Sequence, residues 1–141
     1  MRVLGIDVGE RRVGLAISDR SRTLARPLTT MMVMNVTEAV QRVAAMITEL
    51  REEEDGLDRV VVGMPSRLDG SPTASTPHVL DFIDRLRMSA SVLILTEDER
   101  LTSREAESLL ALNERDWRKR KEKLDAAAAA VILQDYLDRT S

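Results

Sequence analysis

The sequence predicts an α/β fold, a five-stranded mixed sheet with helices on both faces, and three observations carry that prediction. Three strand-like segments crowd into the stretch ending at Val33, joined by connections so short that neighbours must pair antiparallel. Two continuous apolar runs further on, Arg59–Met64 and Ser91–Thr96, read as buried strands. Helical apolar stripes alternate with those runs, as crossover connections between parallel strands require. The expected sheet is therefore a three-strand antiparallel meander extended by two parallel strands.

In chain order, Arg2–Ile6 reads as the first strand and Arg12–Ser18 as the second, with a turn at Gly9-Glu10-Arg11. Thr23–Val33 reads as a third strand, and Pro27 places it at a sheet edge because proline cannot donate to a ladder. Val36, Ala39, Val40, Val43, Met46, Ile47 and Leu50 recur at three- and four-residue spacing, the apolar stripe of a helix over Thr37–Glu54. Asp55-Gly56 ends it. After the Arg59–Met64 strand comes a polar loop, Pro65–Ser75, then a helix carrying Val79, Leu80, Phe82, Ile83 and Leu86. The Ser91–Thr96 strand runs into Glu97-Asp98-Glu99-Arg100. Thr102-Ser-Arg-Glu105 has capping-box spacing and predicts a helix through Ala106, Leu109 and Leu110. A charged segment, Asn113–Lys123, precedes a last helix over Leu124–Asp138, whose alanines at 126–130 permit close approach to a sheet.

At 141 residues the chain is expected to form a single domain, 1–141, with a core that needs no staples. It has no cysteine, which excludes disulfides and thiolate metal sites and makes a reducing cytoplasm the simplest setting. No signal peptide is expected at the N-terminus, and no apolar run approaches membrane-span length. A net charge of -3 argues against coating nucleic acid by bulk electrostatics. Three aromatic residues, Phe82, Trp117 and Tyr136, are too few for a stacking platform. With His78 the only histidine, histidine-based metal or acid-base catalysis is not expected, and if the chain is an enzyme its chemistry runs on carboxylates.

Ligands in open α/β sheets gather at the carboxyl ends of central strands. That rule sends Asp7, the Met64-Pro65 loop and the Glu97–Arg100 run to one edge. Asp7 ends a central strand, a costly place for a carboxylate without a partner, and the flanking Gly5 and Gly9 leave room for a phosphate or metal. Four motifs then carry a resemblance: Gly5-Ile-Asp7-x-Gly9-x-x-Arg12-x-Gly14, Val62-Gly63-x-Pro65 with Asp69-Gly70, Asp98-Glu99-Arg100-Leu-Thr-Ser103, and Leu124-Asp125-x-Ala-Ala128. In this order, nearly end to end, they resemble the bacterial YqgF/RuvX family, relatives of the RuvC resolvases with an RNase H-like fold.

The resemblance implies a divalent-metal-dependent nuclease, with processing of the 5′ end of the 16S ribosomal RNA precursor as its role. Cleavage of Holliday junctions or other branched DNA is the alternative. It also implies Asp7, Glu99 and Asp125 as catalytic ligands of Mg2+ or Mn2+, with one ion activating water and another stabilising the leaving oxygen. Grouped carboxylates repel one another unless a cation joins them. Arg12 and Arg100 are the expected phosphate-binding residues, and nucleic acid is the expected partner: RNA, branched or single-stranded DNA, and pre-ribosomal particles. The chain is expected to act as monomer or homodimer, away from membranes.

Each candidate has a plainer competitor. Asp7 alone reads equally as the cap of a turn, Asp125 ahead of an alanine run is an ordinary helix N-cap or first-turn residue, and Asp19 is a turn residue. Asp98 competes with Glu99, since alternate residues of a strand face opposite ways. Arg67, like any loop arginine, is more simply a solvated one. Ala128 stands where RuvC-like resolvases carry a fourth acid, which weakens the transfer of resolvase activity more than of metal binding. The run Arg115–Lys123, six basic and two acidic residues with Trp117, reads equally as a nucleic-acid grip or a solvated helix. His78 reads as a surface residue at a helix start. Two rival classes remain: a sugar-kinase or actin-like ATPase, which needs a second domain, and a non-catalytic RNA-binding module of the same fold.

Overall fold

The computed structural model describes residues 1–66, 69–98 and 117–140, with backbone alone for 117–124. Strand β1 spans Arg2–Val8, β2 Arg12–Ser18 and β3 Ala25–Met32; helix α1 spans Val36–Glu52, β4 Leu57–Met64, α2 Thr76–Ser89, β5 Leu93–Asp98 and α3 Trp117–Thr140. The five strands form one sheet in the order β3-β2-β1-β4-β5. β1 pairs antiparallel with β2 and parallel with β4, while β3 and β5 extend the two sides. The mixed sheet expected from sequence is the sheet observed, with β1 at its centre. The helix expected from Thr102, together with Glu99, Arg100 and Arg67, lies outside the described residues.

Alternation along each strand divides the core in two. Leu4, Ile6, Val13, Leu15, Ile17, Val60 and Val62 turn to one face, where α1 and α2 cover them with Val43, Ile47, Phe82 and Leu86. Val3, Ala16 and Val61 turn to the other, under Ala129, Ile132, Leu133 and Tyr136 of α3. β4 is buried on both faces, as its unbroken apolar run requires. Pro27 lies on the edge strand at a bulge, where Leu15 pairs with Thr29 but Ala16 pairs with Pro27.

Three expectations change. β5 is not a buried strand: it is the outermost one, and Leu93 is 53% exposed while Ile94 is buried. Among the described residues, helix α3 lies chiefly over β1, β2 and β3. The last helix begins at Trp117 rather than Leu124, since the charged residues before Asp125 are good helix formers and simply extend it. Asp125 therefore sits about two turns inside α3 and is no N-cap. Helix α1 starts at Val36 because Asn35 caps it, Oδ1 accepting from the Glu38 N–H at 2.9 Å.

Candidate functional site

The carboxyl ends of β1, β4 and β5 lie side by side. Ile6 pairs with Val62, and Met64 with Asp98, so Asp7 and the start of the Pro65 loop stand at one end of the sheet. The loop folds against that end: Ser66 Oγ donates to Asp98 Oδ1 at 2.6 Å, and Thr76 Oγ1 donates to the Pro65 carbonyl at 3.0 Å. The first turn of α2 reaches the β1–β2 turn, with His78 Nε2 3.3 Å from the Gly9 carbonyl. Convergence on one edge, expected from the topology, holds for the described residues.

Asp7 lies within β1, which runs one residue past it, and pairs with Gly14 of β2. Cross-strand partners share a face, and Gly14 faces α3. A Cβ there would lie 2.0 Å from the Asp125 carbonyl oxygen and 2.4 Å from its carbonyl carbon. The α3 backbone thus rests directly on Gly14, which brings Asp125 to the face and the end of the sheet that hold Asp7. Asp125 keeps about a quarter of its side-chain surface (27%) while its Oδ2 is buried, 3.9 Å from Arg12 Nη1. Arg12 shares the face, two residues along β2 from Gly14.

The flanking glycines serve packing rather than a ligand. At Gly5 a Cβ would meet Leu133 Cβ at 2.7 Å, and at Gly9 the Arg12 carbonyl oxygen at 2.8 Å. The space a side chain would take at these two glycines is occupied by α3 and by the hairpin turn itself.

The acids after β5 are told apart by the faces they take. Leu95 packs with the α3 cluster and Ile94 with the α1–α2 cluster, so Glu97 turns toward α3 and Asp98 away. Glu97 is paired with Arg139 of α3, whose guanidinium it holds more firmly protonated through that hydrogen bond. Asp98 holds Ser66 on the opposite face from Asp7. Among the described residues no three acids or histidines form a metal-holding group.

Asp19 is a turn residue at the other end of the sheet. Its Oδ1 accepts from the N–H groups of Thr23 at 2.8 Å and Leu24 at 3.3 Å, and the Thr23 bond leads in holding its carboxyl below the ordinary value. That end also carries a cavity of about 400 Å3, lined in part by Arg22, Arg59 and Tyr136. Its cations are engaged internally: both arginines pair with Asp58, at 3.0 and 2.5 Å, and Arg59 donates to the Tyr136 hydroxyl at 3.0 Å. Volume alone does not make it the functional site, since the convergent candidate acids are at the opposite end.

An α/β sheet of this order belongs to the RNase H-like class, and the solved structures it matches include resolvases. Thermus thermophilus RuvC in complex with a Holliday junction substrate superposes with a TM-score of 0.54 at 19% identity, over 100% of this chain and 96% of that one. The fowlpox virus Holliday junction resolvase gives 0.58 at 11% identity, over the whole of both chains. At such identities the likeness is one of fold. Sequence carries the assignment further: the family model described as "RuvX: Holliday junction resolvase" matches residues 1–139. A Chloroflexus aggregans protein named "Putative pre-16S rRNA nuclease" is 40% identical over 136 residues, 96% of this chain and 92% of that protein. A Desulforudis audaxviator protein of the same name is 36% identical over 138 residues, 98% and 94% of the two chains. The chain belongs to the RuvX family.

Proposed function

We propose that this chain is a divalent-metal-dependent nuclease that hydrolyses phosphodiester bonds, processing the 5′ end of pre-16S ribosomal RNA in the cytoplasm. The observation that carries the reading is the meeting of β1, β2 and α3 at Gly14, which gathers Asp7 and Asp125 on one face of an RNase H-like sheet. RuvX membership along residues 1–139, and the nuclease names of the relatives, support the activity and the ribosomal substrate.

Hard carboxylate oxygens on separate elements fit Mg2+ or Mn2+. Asp7 and Asp125 are the proposed ligands from β1 and α3, and Glu99 from the segment after β5; Asp98, turned to the other face, ranks below it. The cations, when bound, supply an activated water and charge stabilisation at the leaving oxygen. Arg12, on the face of Asp7 and 3.9 Å from Asp125, is suited to hold a substrate phosphate, and Arg100 is assigned the same task from the motif. RNA is favoured over a four-way DNA junction because Ala128, only 2% exposed against the sheet, stands where RuvC-like resolvases carry their fourth acid.

The test is cleavage of labelled RNA spanning the 16S leader junction, beside a four-way DNA junction, with EDTA, Mg2+ or Mn2+. We expect metal-dependent cleavage of the RNA, reduced roughly a hundredfold or more in Asp7→Asn and in Glu99→Gln, since outer-sphere changes alone reach that range. Cleavage that survives Asp7→Asn overturns the assignment. Equal RNA binding by wild type and variants with no turnover would establish the binding-module reading instead.

A further inference from the structure

The geometry points to Gly14 as the positioning residue of the metal site: the missing side chain at this point of β2 sets the height of α3, and thereby the reach of the Asp125 carboxylate toward Asp7. The inference rests on the reading of Asp125 as a metal ligand and goes beyond it by naming what seats that ligand.

Three observations converge. A Cβ at Gly14 would lie 2.0 Å from the Asp125 carbonyl oxygen, 2.4 Å from its carbonyl carbon and 2.9 Å from the Ala126 nitrogen. All three are backbone atoms of a helix, so no rotamer change relieves the clash; the helix itself must lift by about 1.4 Å to reach ordinary contact at 3.4 Å. The cross-strand partner of Gly14 is Asp7, so the same residue touches the seats of both acids. Arg12, on the same strand and face, lies 3.9 Å from Asp125 Oδ2 and approaches the carboxylate from the β2 side. At Gly5 the contacts fall further along the helix: Leu133 Cβ at 2.7 Å and the Ala129 carbonyl oxygen at 3.1 Å, one to two turns past Asp125. Gly5 and Gly14 both let α3 lie close to the sheet, but only Gly14 does so at a candidate ligand.

A lifted helix withdraws the Asp125 carboxylate by nearly the length of one carbon–carbon bond, about 1.5 Å. A misplacement of that size in a constellation costs about a hundredfold in function. One added methylene restores the reach. The pair Gly14→Ala and Asp125→Glu is therefore expected to compensate, the signature of two neighbouring sites coupled through one distance.

The experiment measures Mn2+ affinity by calorimetry, with melting temperature recorded for each variant. Gly14→Ala is expected to weaken Mn2+ about tenfold or more, and Gly14→Ala/Asp125→Glu to return affinity to within about threefold of wild type. Asp125→Glu alone is expected to weaken it about fivefold, because the longer side chain overshoots an unshifted seat. Leu133→Ala, the packing control two turns along α3 from Asp125, should lower the melting temperature yet hold affinity within about twofold. A folded Gly14→Ala that binds Mn2+ as wild type does overturns the inference, and so does a double variant weaker than either single one. If Gly14→Ala does not fold, Asp125→Glu decides: unchanged affinity means the seat is not rigid and the inference fails. Asp125→Asn separates the two levels. Its wild-type affinity would remove Asp125 as a ligand, whereas weakened affinity beside an unaffected, folded Gly14→Ala would remove only the role of Gly14.

Discussion

Ser18 closes the sheet from inside. It is 1% exposed, its Oγ accepts from the Val3 N–H at 2.7 Å and donates to the Asp19 carbonyl at 3.0 Å. Ser18→Ala leaves a buried backbone donor without its acceptor, and urea melting should record a loss of about 1–3 kcal/mol. Arg2 is the other buried polar residue of this region: 9% exposed, it donates to the Leu50 carbonyl at 3.2 Å, the Gly56 carbonyl at 3.0 Å and Glu53 Oε1 at 2.9 Å, tying down the end of α1. Neither role is legible in the sequence. The partners of Arg2 lie some fifty residues away, and no local pattern marks a residue whose contacts are supplied by the fold. Asp19 could be read correctly because its partners, Thr23 and Leu24, are its neighbours. Its carboxyl, and that of Asp58 through its hydrogen bond from Arg59, are held below the ordinary 3.8. A depressed carboxyl favours the folded state while charged, so this contribution is complete above about pH 4 and is lost as pH falls through the lowered folded values. Asp58→Asn should therefore lose stability less steeply than wild type below about pH 4 in acid titrations followed by circular dichroism.

Helix α3 and strand β5 show how context overrides an apolar run. Leu133 is fully buried between α3 and the sheet, whereas Leu93 of β5 is 53% exposed. Leu133→Ala is expected to cost about 2–5 kcal/mol, and Leu93→Ala to stay within about 0.5 kcal/mol, in chemical denaturation. In the sequence both leucines sit in apolar runs, and only the lie of α3 over β1–β3 distinguishes them. The stripe of α1 was legible because one helix face carries it, and its buried residues Ala39, Val40, Val43, Ile47 and Leu50 all belong to that stripe. The start of α3 was not, since a charged run carries no apolar period. That misreading also produced the N-cap alternative for Asp125, which the position of the residue two turns inside the helix removes.

The molecule divides its work between the two ends of its sheet. At one end the carboxyl termini of β1, β4 and β5 gather Asp7, Asp98 and the α2 helix start, with Asp125 brought in by α3. At the other, Arg22, Asp58, Arg59 and Tyr136 knit α3 to the strands through ion pairs and a hydrogen bond. Strand order alone was enough to predict which end carries the candidate acids, because parallel strands share their carboxyl edge. It did not foretell that Gly14 would join Asp7 to Asp125, a contact between residues more than a hundred apart. The most direct test is an anomalous-difference map from crystals grown with Mn2+. The account predicts a peak within coordination distance of both the Asp7 and the Asp125 carboxylates; a peak elsewhere with none at Asp7, at saturating Mn2+, would contradict it.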